Sequence, residues 1–342
     1  MEAHRLSHRQ RIEACLSGAG LDRPPVALWR HFPVDDQTPD GLAAATIAFQ
    51  QTYDFDLVKV TPASSFCLKD WGVADAWRGA TEGTREYTRR VINAPEDWSC
   101  LNVLDPFRGY LGAQLSCLDQ VCRAVGPEVP VLQTIFSPLA QAKNLVGGQT
   151  LLLHLRKYPD AVRAGLQILV ESTRLFVEAA SKTGIAGIFY AVQHANYHLL
   201  TEAEFSKFGV VSDLAVLEAA QGLWLNILHM HGENVMFELL KDYPAAVLNW
   251  HDRDTPPNLV TARGLTGRVL CGGLQRETTM VLGAPEQVYA EARDAITATN
   301  GERFILGTGC VLPITAPRAN ILAARRSVEA LASNPSVRED QP

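Results

Sequence analysis

The sequence has no excess of positive charge and no long hydrophobic run. Its 342 residues include 31 Lys and Arg against 37 Asp and Glu, a formal net charge of −6, and the cationic residues are scattered. Nucleic-acid binding needs a clustered basic surface, so we expect no such partner. No apolar stretch approaches the roughly 20 residues of a membrane helix, and MEAHRLSHRQRIEACL lacks the apolar core of a secretory signal. We therefore expect a cytoplasmic protein with no membrane partner.

Paired cysteine motifs and internal linkers are also missing. The seven cysteines form no C-x-x-C pair, and their odd number and irregular spacing argue against a disulfide framework. Most of these thiols are expected to be small buried side chains in a reducing compartment. The hydrophobic content of 47% is enough for a full core, and no stretch divides the chain. We expect one domain over residues 1–342.

Short β-rich runs alternate with helical patterns along the chain. Helix candidates include DGLAAATIAFQQTY, PDAVRAGLQILVESTRLFVEAASKTG and APEQVYAEARDAITATNG, and the last two have the early proline and final glycine that delimit helices. Eight β-rich runs separated in this way predict an α/β fold, a single (β/α)8 TIM barrel. The runs are residues 26–32, 55–62, 129–137, 184–193, 225–232, 245–252, 268–274 and 303–312.

Two additions interrupt this regular alternation. The segment SHRQRIEACLSG predicts a helix within an N-terminal extension of about residues 1–24. A longer insertion, about residues 63–128, follows the second strand and contains AWRGATEGTREYTRRVINAPEDW. Turn residues between alternating Thr, Arg, Tyr and Val predict a hairpin or a small excursion over the barrel mouth. This hairpin is either a lid or a structural elaboration without a role in chemistry.

Polar side chains, with five of the nine histidines among them, gather at the ends of the eight runs. Active sites of TIM barrels lie at the carboxyl ends of the strands. Buried polar networks also occupy barrel mouths, so the concentration marks a site without identifying its chemistry. Lys59 is either an anchor for an anion or a lysine that reaches solvent. The candidate substrate-binding residues are Arg30, His31, Lys59, Tyr190, His194 and Asn249.

The stretch ILHMHGEN places two histidines two residues apart on the fifth predicted strand. The period of two turns His229 and His231 to one face, where one metal could meet both rings, although buried hydrogen-bonded histidines are an alternative. Cys310, in GTGC at the end of the last strand, faces the same cavity. One thiolate and two imidazoles with an open fourth position suit catalytic zinc. Gly307 and Gly309 either bring the sulfur inward or make a tight corner.

Four segments of the C-terminal third resemble the uroporphyrinogen decarboxylase superfamily, and weaker similarity covers most of the chain. They are ILHMHGENVMFELL, YPAAVLNWHDRDTPPNLVTARGL, GRVLCGGLQRETTMVLGAPEQVYAEARDAI and RFILGTGCVLPITAPRANILAARRSVEAL. The resemblance implies a barrel that hosts porphyrinogen decarboxylation or zinc-dependent methyl transfer with corrinoid proteins. The zinc-dependent branch has a histidine-x-cysteine-glycine element on its fifth strand and a glycine-cysteine on its eighth. Here these positions are His229-Met230-His231-Gly232 and Gly309-Cys310.

The chain departs from both branches at identifiable positions. Of the decarboxylase arginine motif only Arg30 is present, and Ala63 stands where the resemblance implies the catalytic aspartate. A shifted alignment would make Asp70 the remaining candidate. A tetracarboxylate pyrrole needs such charges, so decarboxylation is the second choice. His231 replaces the cysteine of the methyltransferases, which makes a bound thiolate less nucleophilic and puts the usual sulfur acceptor in question.

The resemblance implies zinc held by His229, His231 and Cys310, with an acceptor's ionisable group activated at the open position. His251 and Asp252 are the catalytic candidates, as orienting groups or proton carriers, although Asp252 would also fit a pair with Arg253 or a backbone amide. No D-x-H-x-x-G motif is present, so any corrinoid would come on a partner protein. Metal-dependent amide hydrolysis and a non-catalytic tetrapyrrole- or metal-binding barrel are further alternatives. The oligomeric state, monomer or homodimer, stays open.

Overall fold

The structure is a computed structural model that describes residues 5–332. Its helices are α1 (His8–Ser17), α2 (Pro39–Tyr53), α3 (Gly109–Val125), α4 (Pro138–Val146), α5 (Gly148–Lys157), α6 (Pro159–Ala180), α7 (Glu202–Phe205), α8 (Val211–Glu218), α9 (Phe237–Leu240), α10 (Leu259–Leu265), α11 (Pro285–Ala298) and α12 (Arg318–Ala332). Its strands are β1 (Val58–Val60), β2 (Ala74–Ala76), β3 (Glu86–Arg89), β4 (Val131–Phe136), β5 (Gly187–Val192), β6 (Ile227–Met230), β7 (Val247–Trp250), β8 (Val269–Leu274) and β9 (Phe304–Thr308). No helix of the described residues is both long and apolar enough to cross a membrane.

Seven parallel strands form one curled sheet in the order β1-β4-β5-β6-β7-β8-β9. The strands β4 and β5 are buried along their whole length. This continuous burial is typical of a parallel sheet that is covered on both faces, because crossover helices such as α6 cover the outer face. The predicted α/β class with a TIM-type arrangement is therefore confirmed.

The first predicted strand is reduced to a single bridge at Val26. The amide of Ala27 donates to Leu306 in β9, and the carbonyl of Val26 accepts from Asp56, just before β1. Residues 25–27 thus lie between the two edge strands of the sheet. The expectation of eight full strands is corrected here, because Pro25 has no amide hydrogen and the amide of Val26 donates to the Asp56 carboxylate at 2.8 Å. The closed eight-stranded barrel stays a prediction, as does the single domain over 1–342.

Side chains alternate between two hydrophobic layers. The inner layer, enclosed by the curled sheet, includes Trp29, Leu132, Phe189 and Ile227. The residues that follow these in each strand point outward and pack against the helices, as Leu228 does. Each such fully buried side chain stabilises the fold by roughly 1.5–3 kcal/mol. This alternation decides which residues at a strand end reach the mouth.

The predicted N-terminal helix is present as α1, and it packs against the amino ends of the strands. Ser7 and Gln10 form a capping box at its start. Ile12 lies in the inner layer, and the guanidinium of Arg11 donates to the buried Asp56 carboxylate at 2.7 Å. Residues 1–4 of the predicted extension lie outside the described residues.

The predicted insertion contains a hairpin and a barrel helix. Strands β2 and β3 pair antiparallel, which confirms the hairpin, whereas α3 is the crossover helix that leads to β4. The hairpin turn lies on the mouth: a Cβ on Gly83, which has φ +77°, would lie 2.6 Å from the Cβ of His31. Glu82 pairs with Arg276 after β8, and the carbonyl of Thr81 accepts from the amide of Ile314. The turn therefore covers the carboxyl ends of the strands.

Candidate metal centre

Four side chains meet where β6, β7 and β9 end. One ligand atom from each of His229, His231, His251 and Cys310 lies within 4.8 Å of the other three. His229 is in β6, and His231 follows it on the same face because the strand period is two. His251 follows β7, and Cys310 follows β9. We call this group the His3Cys cluster.

The Cys310 thiol is the centre of the cluster. Its Sγ lies 3.6 Å from Nε2 of His229 and 3.6 Å from Nδ1 of His231. The preceding residue must be glycine, because a Cβ on Gly309 would lie 2.6 Å from the carbonyl oxygen of Trp250 and from the Cα of His251. The small residue lets the end of β9 approach the end of β7 and places the sulfur against His251.

Asn249 fixes the orientation of the His229 ring. Its amide nitrogen donates to the carbonyls of Cys271 and Thr308, so its Oδ1 is an acceptor. Nδ1 of His229 lies 2.7 Å from this oxygen and therefore carries the hydrogen. The Nε2 lone pair of His229 then points toward Cys310, as a metal ligand requires.

The other two rings complete the cluster. The ring centroids of His231 and His251 are 5.2 Å apart, and those of His229 and His251 are 5.9 Å apart. Nδ1 of His251 lies 3.8 Å from Asp254, and its buried Nε2 has no hydrogen-bond partner among the described residues. A buried ring nitrogen without a partner is costly unless another group binds it.

The proton affinities of the cluster fit a thiolate among imidazoles. Burial alone raises the pKa of the Cys310 thiol, but His229 and His231 lower it well below its ordinary value. Burial lowers the pKa of His229, so its ring is neutral at pH 7. A thiolate and neutral imidazoles are the forms that bind metals.

This donor set fits a zinc ion. Zinc takes thiolate sulfur and imidazole nitrogen in tetrahedral arrangements, and the cluster offers one sulfur and three ring nitrogens. The Nε2 of His229, which Asn249 orients toward the Cys310 sulfur, is the observation that indicates a ligand role. His229, His231 and Cys310 would hold the ion as the sequence predicted, and the ring of His251 lies beside these three side chains.

The comparison with protein families decides the assignment of the whole chain. The family model described as uroporphyrinogen decarboxylase (URO-D) matches residues 7–331. The chain belongs to the uroporphyrinogen decarboxylase family.

Within this family, the chain is similar to methyltransferases. It is 23% identical over 337 residues to methylcobamide:CoM methyltransferase MtaA from Methanosarcina barkeri, which covers 92% of this chain and 95% of that protein. It is also 23% identical over 215 residues to methylcobamide:CoM methyltransferase MtbA from Methanosarcina mazei, which is 62% of the length of each. Distant homology to these methyltransferases is therefore established.

Solved structures show the same fold. A methyltransferase from Methanosarcina mazei superposes with a TM-score of 0.84 at 18% identity and covers 96% of this chain and 100% of its own. A B12-independent methionine synthase from Shewanella sp. W3-18-1 has a TM-score of 0.55 at 13% identity and covers 92% of this chain and 93% of its own. At these identities the likeness establishes the fold alone.

The position at which the resemblance implied the decarboxylase aspartate holds no acid. Ala63 is buried after β1, and the segment KVTPASSF contains no acid. Asp70 is exposed, and its carboxylate accepts from the amide of Tyr110 in the first turn of α3. This carboxylate therefore belongs to the insertion and not to the mouth.

Three of the predicted site residues lie away from the cluster. The Tyr190 hydroxyl points outward from β5 and donates to Asp213 in α8 at 2.7 Å. Arg30 packs over the ring of Phe49 in α2, with 5.4 Å between the guanidinium carbon and the ring centroid. The carboxylate of Asp252 accepts from the amide of Gly273 at 3.0 Å. In each case the residue before or after it in sequence occupies the inner face.

The other predicted residues surround the cluster. His31 and His194 are buried beside it, and each has an Nδ1 without a partner among the described residues. Lys59 is buried on the inner face of β1, and its Nζ lies 4.5 Å from the ring centroid of Phe189. The Phe189 ring in turn packs on His229 at 5.2 Å between centroids.

Sequence reasoning missed Lys143, which is near the mouth. It lies in α4, and its Nζ donates to Gln193 at 2.8 Å beside His194. The only sequence signal was a lone lysine in a helix of buried residues, since Lys143 follows no strand end. A lysine in such a helix must reach past the buried neighbours to a polar partner.

Proposed function

We propose that this chain is a zinc-dependent methyltransferase component that moves a methyl group between a corrinoid protein and a small-molecule acceptor. The observation that carries the proposal is the buried Cys310 thiol held 3.6 Å from two imidazoles at the carboxyl ends of the strands. The similarity to methylcobamide:CoM methyltransferases supports the same class of reaction. The corrinoid would come on a partner protein, because this sequence has no motif to bind it.

In this proposal, His229, His231 and Cys310 would hold the ion, and the acceptor would bind beside it. Zinc, when bound, lowers the pKa of the acceptor's ionisable group and so makes it a nucleophile at neutral pH. Asn249 keeps the His229 ring in the binding tautomer. Asp252, through the amide of Gly273, ties the end of β7 to β8 and positions His251.

His251 is the group that takes the acceptor's proton in this proposal. Its Nε2 is buried, lacks a partner among the described residues and lies in the cluster. Although burial opposes it, the nearby Cys310 sulfur raises the pKa of His251 above its ordinary value, which favours holding a proton. The corrinoid would supply the methyl group and keep the electron pair of the bond that it gives up when the methyl carbon bonds to the acceptor atom.

Buried aromatic and cationic side chains complete the acceptor pocket. Lys59, His31 and His194 line the mouth around the cluster, and the hairpin turn at Gly83 excludes water above His31. The contacts of Tyr190 and Arg30 support structural roles at the outer face instead. Decarboxylation of a tetracarboxylate pyrrole gains no support, since Asp70 is held on α3.

The test is methyl transfer from methylcobalamin, which replaces the corrinoid protein, to a panel of thiols, amines and phenols. We expect loss of the methylcobalamin absorbance with the zinc-loaded protein, and at least a hundredfold slower loss with Cys310→Ala, on the order of the effect of a missing catalytic group. Cys100→Ala, at an exposed thiol far from the site, is the matched control. Zinc binding without transfer to any acceptor would favour a metal-binding barrel, and carbon dioxide release from uroporphyrinogen would favour a decarboxylase.

The His251→Ala variant shows whether His251 accepts the proton or binds the zinc ion. We expect this variant to retain zinc within about tenfold of the wild-type affinity but to transfer methyl groups roughly 10²–10⁴-fold more slowly. A zinc affinity that falls as far as that of His231→Ala would show that His251 is a ligand and would contradict its role as the proton acceptor.

A further inference from the structure

Lys59 is a buried amine without an acidic partner. The side chain is 7% exposed and points into the inner layer from β1. Its Nζ donates to the Thr61 hydroxyl at 3.1 Å, and among residues 5–332 no carboxylate lies within ion-pair distance of it. Lysines are seldom buried in this way unless a charge is paired with them or the amine is used in chemistry.

Two further polar atoms without partners lie on the same side of the mouth. The Trp29 indole and the His31 ring follow Ala27 at intervals of two on the inner face. Nε1 of Trp29 and Nδ1 of His31 have no hydrogen-bond partner among the described residues. The Lys59 amine lies 5.8 Å from the Trp29 ring centroid and 4.5 Å from that of Phe189.

The carboxylates described near this group have partners other than the amine. Asp36 accepts from Arg85, Glu82 pairs with Arg276, and Asp252 accepts from Gly273, so the acids near the mouth have other partners. Burial lowers the pKa of Lys59 to about 7, against the opposing effect of Cys310. Burial, with the Lys59 charge adding to it, lowers the pKa of His31 to about 3, so that ring is a neutral base.

A carbonyl compound is the chemical class that these three groups suit, since they offer an amine, an N–H donor and a neutral imidazole. The uncharged amine is a nucleophile toward a carbonyl carbon. The indole N–H can donate to the carbonyl oxygen, and the imidazole can carry protons between amine and oxygen. The flat faces of Trp29 and Phe189 beside the amine suit a planar imine.

We propose that Lys59 forms an imine with a small aldehyde or ketone that binds at the amine, beside His31 and the contacting rings of Trp29 and Phe189. A carbon–nitrogen double bond forms, and the carbonyl oxygen leaves as water with two hydrogens from the amine. No oxidant or reductant takes part. The proposal concerns residues other than the metal ligands, so it can hold or fail independently of methyl transfer.

The test is reductive trapping of the imine at pH 7. Full-length protein, with and without zinc, is treated with a limiting amount of propanal and cyanoborohydride, and propylated lysines are located by peptide mass spectrometry. An amine with a pKa near 7 has about a thousandfold more uncharged form at pH 7 than an ordinary lysine. We expect labelling of Lys59 to exceed that of the exposed Lys157 and Lys207 by about tenfold or more in initial rate.

Two variants make the result specific. Lys143→Met removes a half-buried lysine near the mouth, whose Nζ donates to Gln193, and should leave labelling of Lys59 unchanged. His31→Phe should keep the fold and slow labelling, because it removes the proton carrier and keeps a ring of similar size. Zinc content should be the same in both variants.

Labelling confined to exposed lysines, in protein whose circular dichroism and zinc content are native, would overturn the proposal. Equal trapping at Lys59 and Lys143 would overturn it as well, because burial alone would then explain the reactivity. A crystal soaked with propionate that shows a carboxylate ion-paired with Lys59, together with no trapped adduct, would replace the imine with an anion-binding role.

Discussion

Asn249 shows how one residue outside the ligand set can control the cluster. It accepts from His229 Nδ1 at 2.7 Å while donating to two backbone carbonyls, so it sets both ring position and tautomer. We expect Asn249→Ala to lower zinc affinity by about 10–100-fold, as is usual when a ligand loses its orienting partner. Competition with a chromophoric chelator measures this affinity. Equal affinities in the wild type and Asn249→Ala would contradict the role.

Asp213 provides a pH-dependent prediction at the outer face. Burial raises its pKa to about 7, although the hydroxyls of Tyr190 and Tyr243 donate to it. A raised pKa means that the folded state keeps the proton longer than the unfolded state, so this group lowers the free energy of unfolding as pH rises from about 4 to about 7. Asn does not titrate, so the Asp213→Asn variant lacks this fall in the free energy of unfolding.

The Asp213→Asn variant should therefore gain stability relative to the wild type across this interval. The difference between the free energies of unfolding of the variant and the wild type should grow by at most about 1.4 kcal/mol per pH unit, which is the limit for one proton. Urea unfolding at several pH values measures it. A difference that does not change between pH 4 and pH 7 would contradict the assignment. Asn226→Ala, at a buried amide without charge, is the control for a change in packing alone.

Side chains alternate between the two faces of a β-strand, and this explains which residues the sequence could assign to the correct face. It predicts that His229 and His231 share a face, and the structure brings both to Cys310. The same alternation explains Arg30 and Asp252. Their neighbours His31 and His251 face the inner side of the sheet, so Arg30 and Asp252 face the outer side. Tyr190 was harder, because GIFYAV in β5 is apolar throughout and has no alternation from which a face could be read.

At the scale of elements, the β2–β3 hairpin contacts the loops that follow the strands of the sheet. Its turn lies on His31, and the Glu82–Arg276 ion pair joins it to the loop after β8. Cys310 is 6% exposed, and we expect movement of the turn to give a reagent access to its sulfur. The sequence indicated a hairpin here, but its contacts with β8 and β9 depend on residues nearly 200 positions away.

Weakening this ion pair should expose the sulfur more often. We expect Glu82→Gln to increase the rate of Cys310 alkylation in metal-free protein by about fivefold, which corresponds to the loss of roughly 1 kcal/mol from a partly exposed pair. Mass spectrometry of the alkylated peptides measures the rate. Glu86→Gln breaks the exposed pair with Arg78 in the same hairpin and should leave the rate unchanged. Equal acceleration in both variants would show that the Glu82 pair has no special role.

The first predicted strand is the element for which the local sequence pattern was misleading. VALWRHF has the apolar content of a buried strand, yet only Val26 bridges to β9. The amide of Val26 is taken by the Asp56 carboxylate, which Arg11 and Arg23 also contact. This buried network depends on three separate segments, so no local pattern could have indicated that it replaces a strand hydrogen bond.

For the whole molecule, metal binding should be coupled to stability. The cluster joins three strands, so an ion bound only by the folded chain adds about 2.7 kcal/mol at a free concentration 100 times the dissociation constant. We expect zinc to raise the Tm of the metal-free wild type by several degrees and to leave Cys310→Ala unchanged. Differential scanning fluorimetry checks this. A Tm that zinc does not move in the wild type would contradict a preformed site.

Metal analysis of the purified protein shows whether the His3Cys cluster binds zinc. Protein purified under reducing conditions, with its Cys310→Ala, His229→Ala and Cys100→Ala variants, is analysed by inductively coupled plasma mass spectrometry. We predict about one zinc per chain in the wild type and in Cys100→Ala, and a loss of most of it in the other two. A wild-type protein without metal after zinc reconstitution, or equal zinc in all four proteins, would contradict the claim.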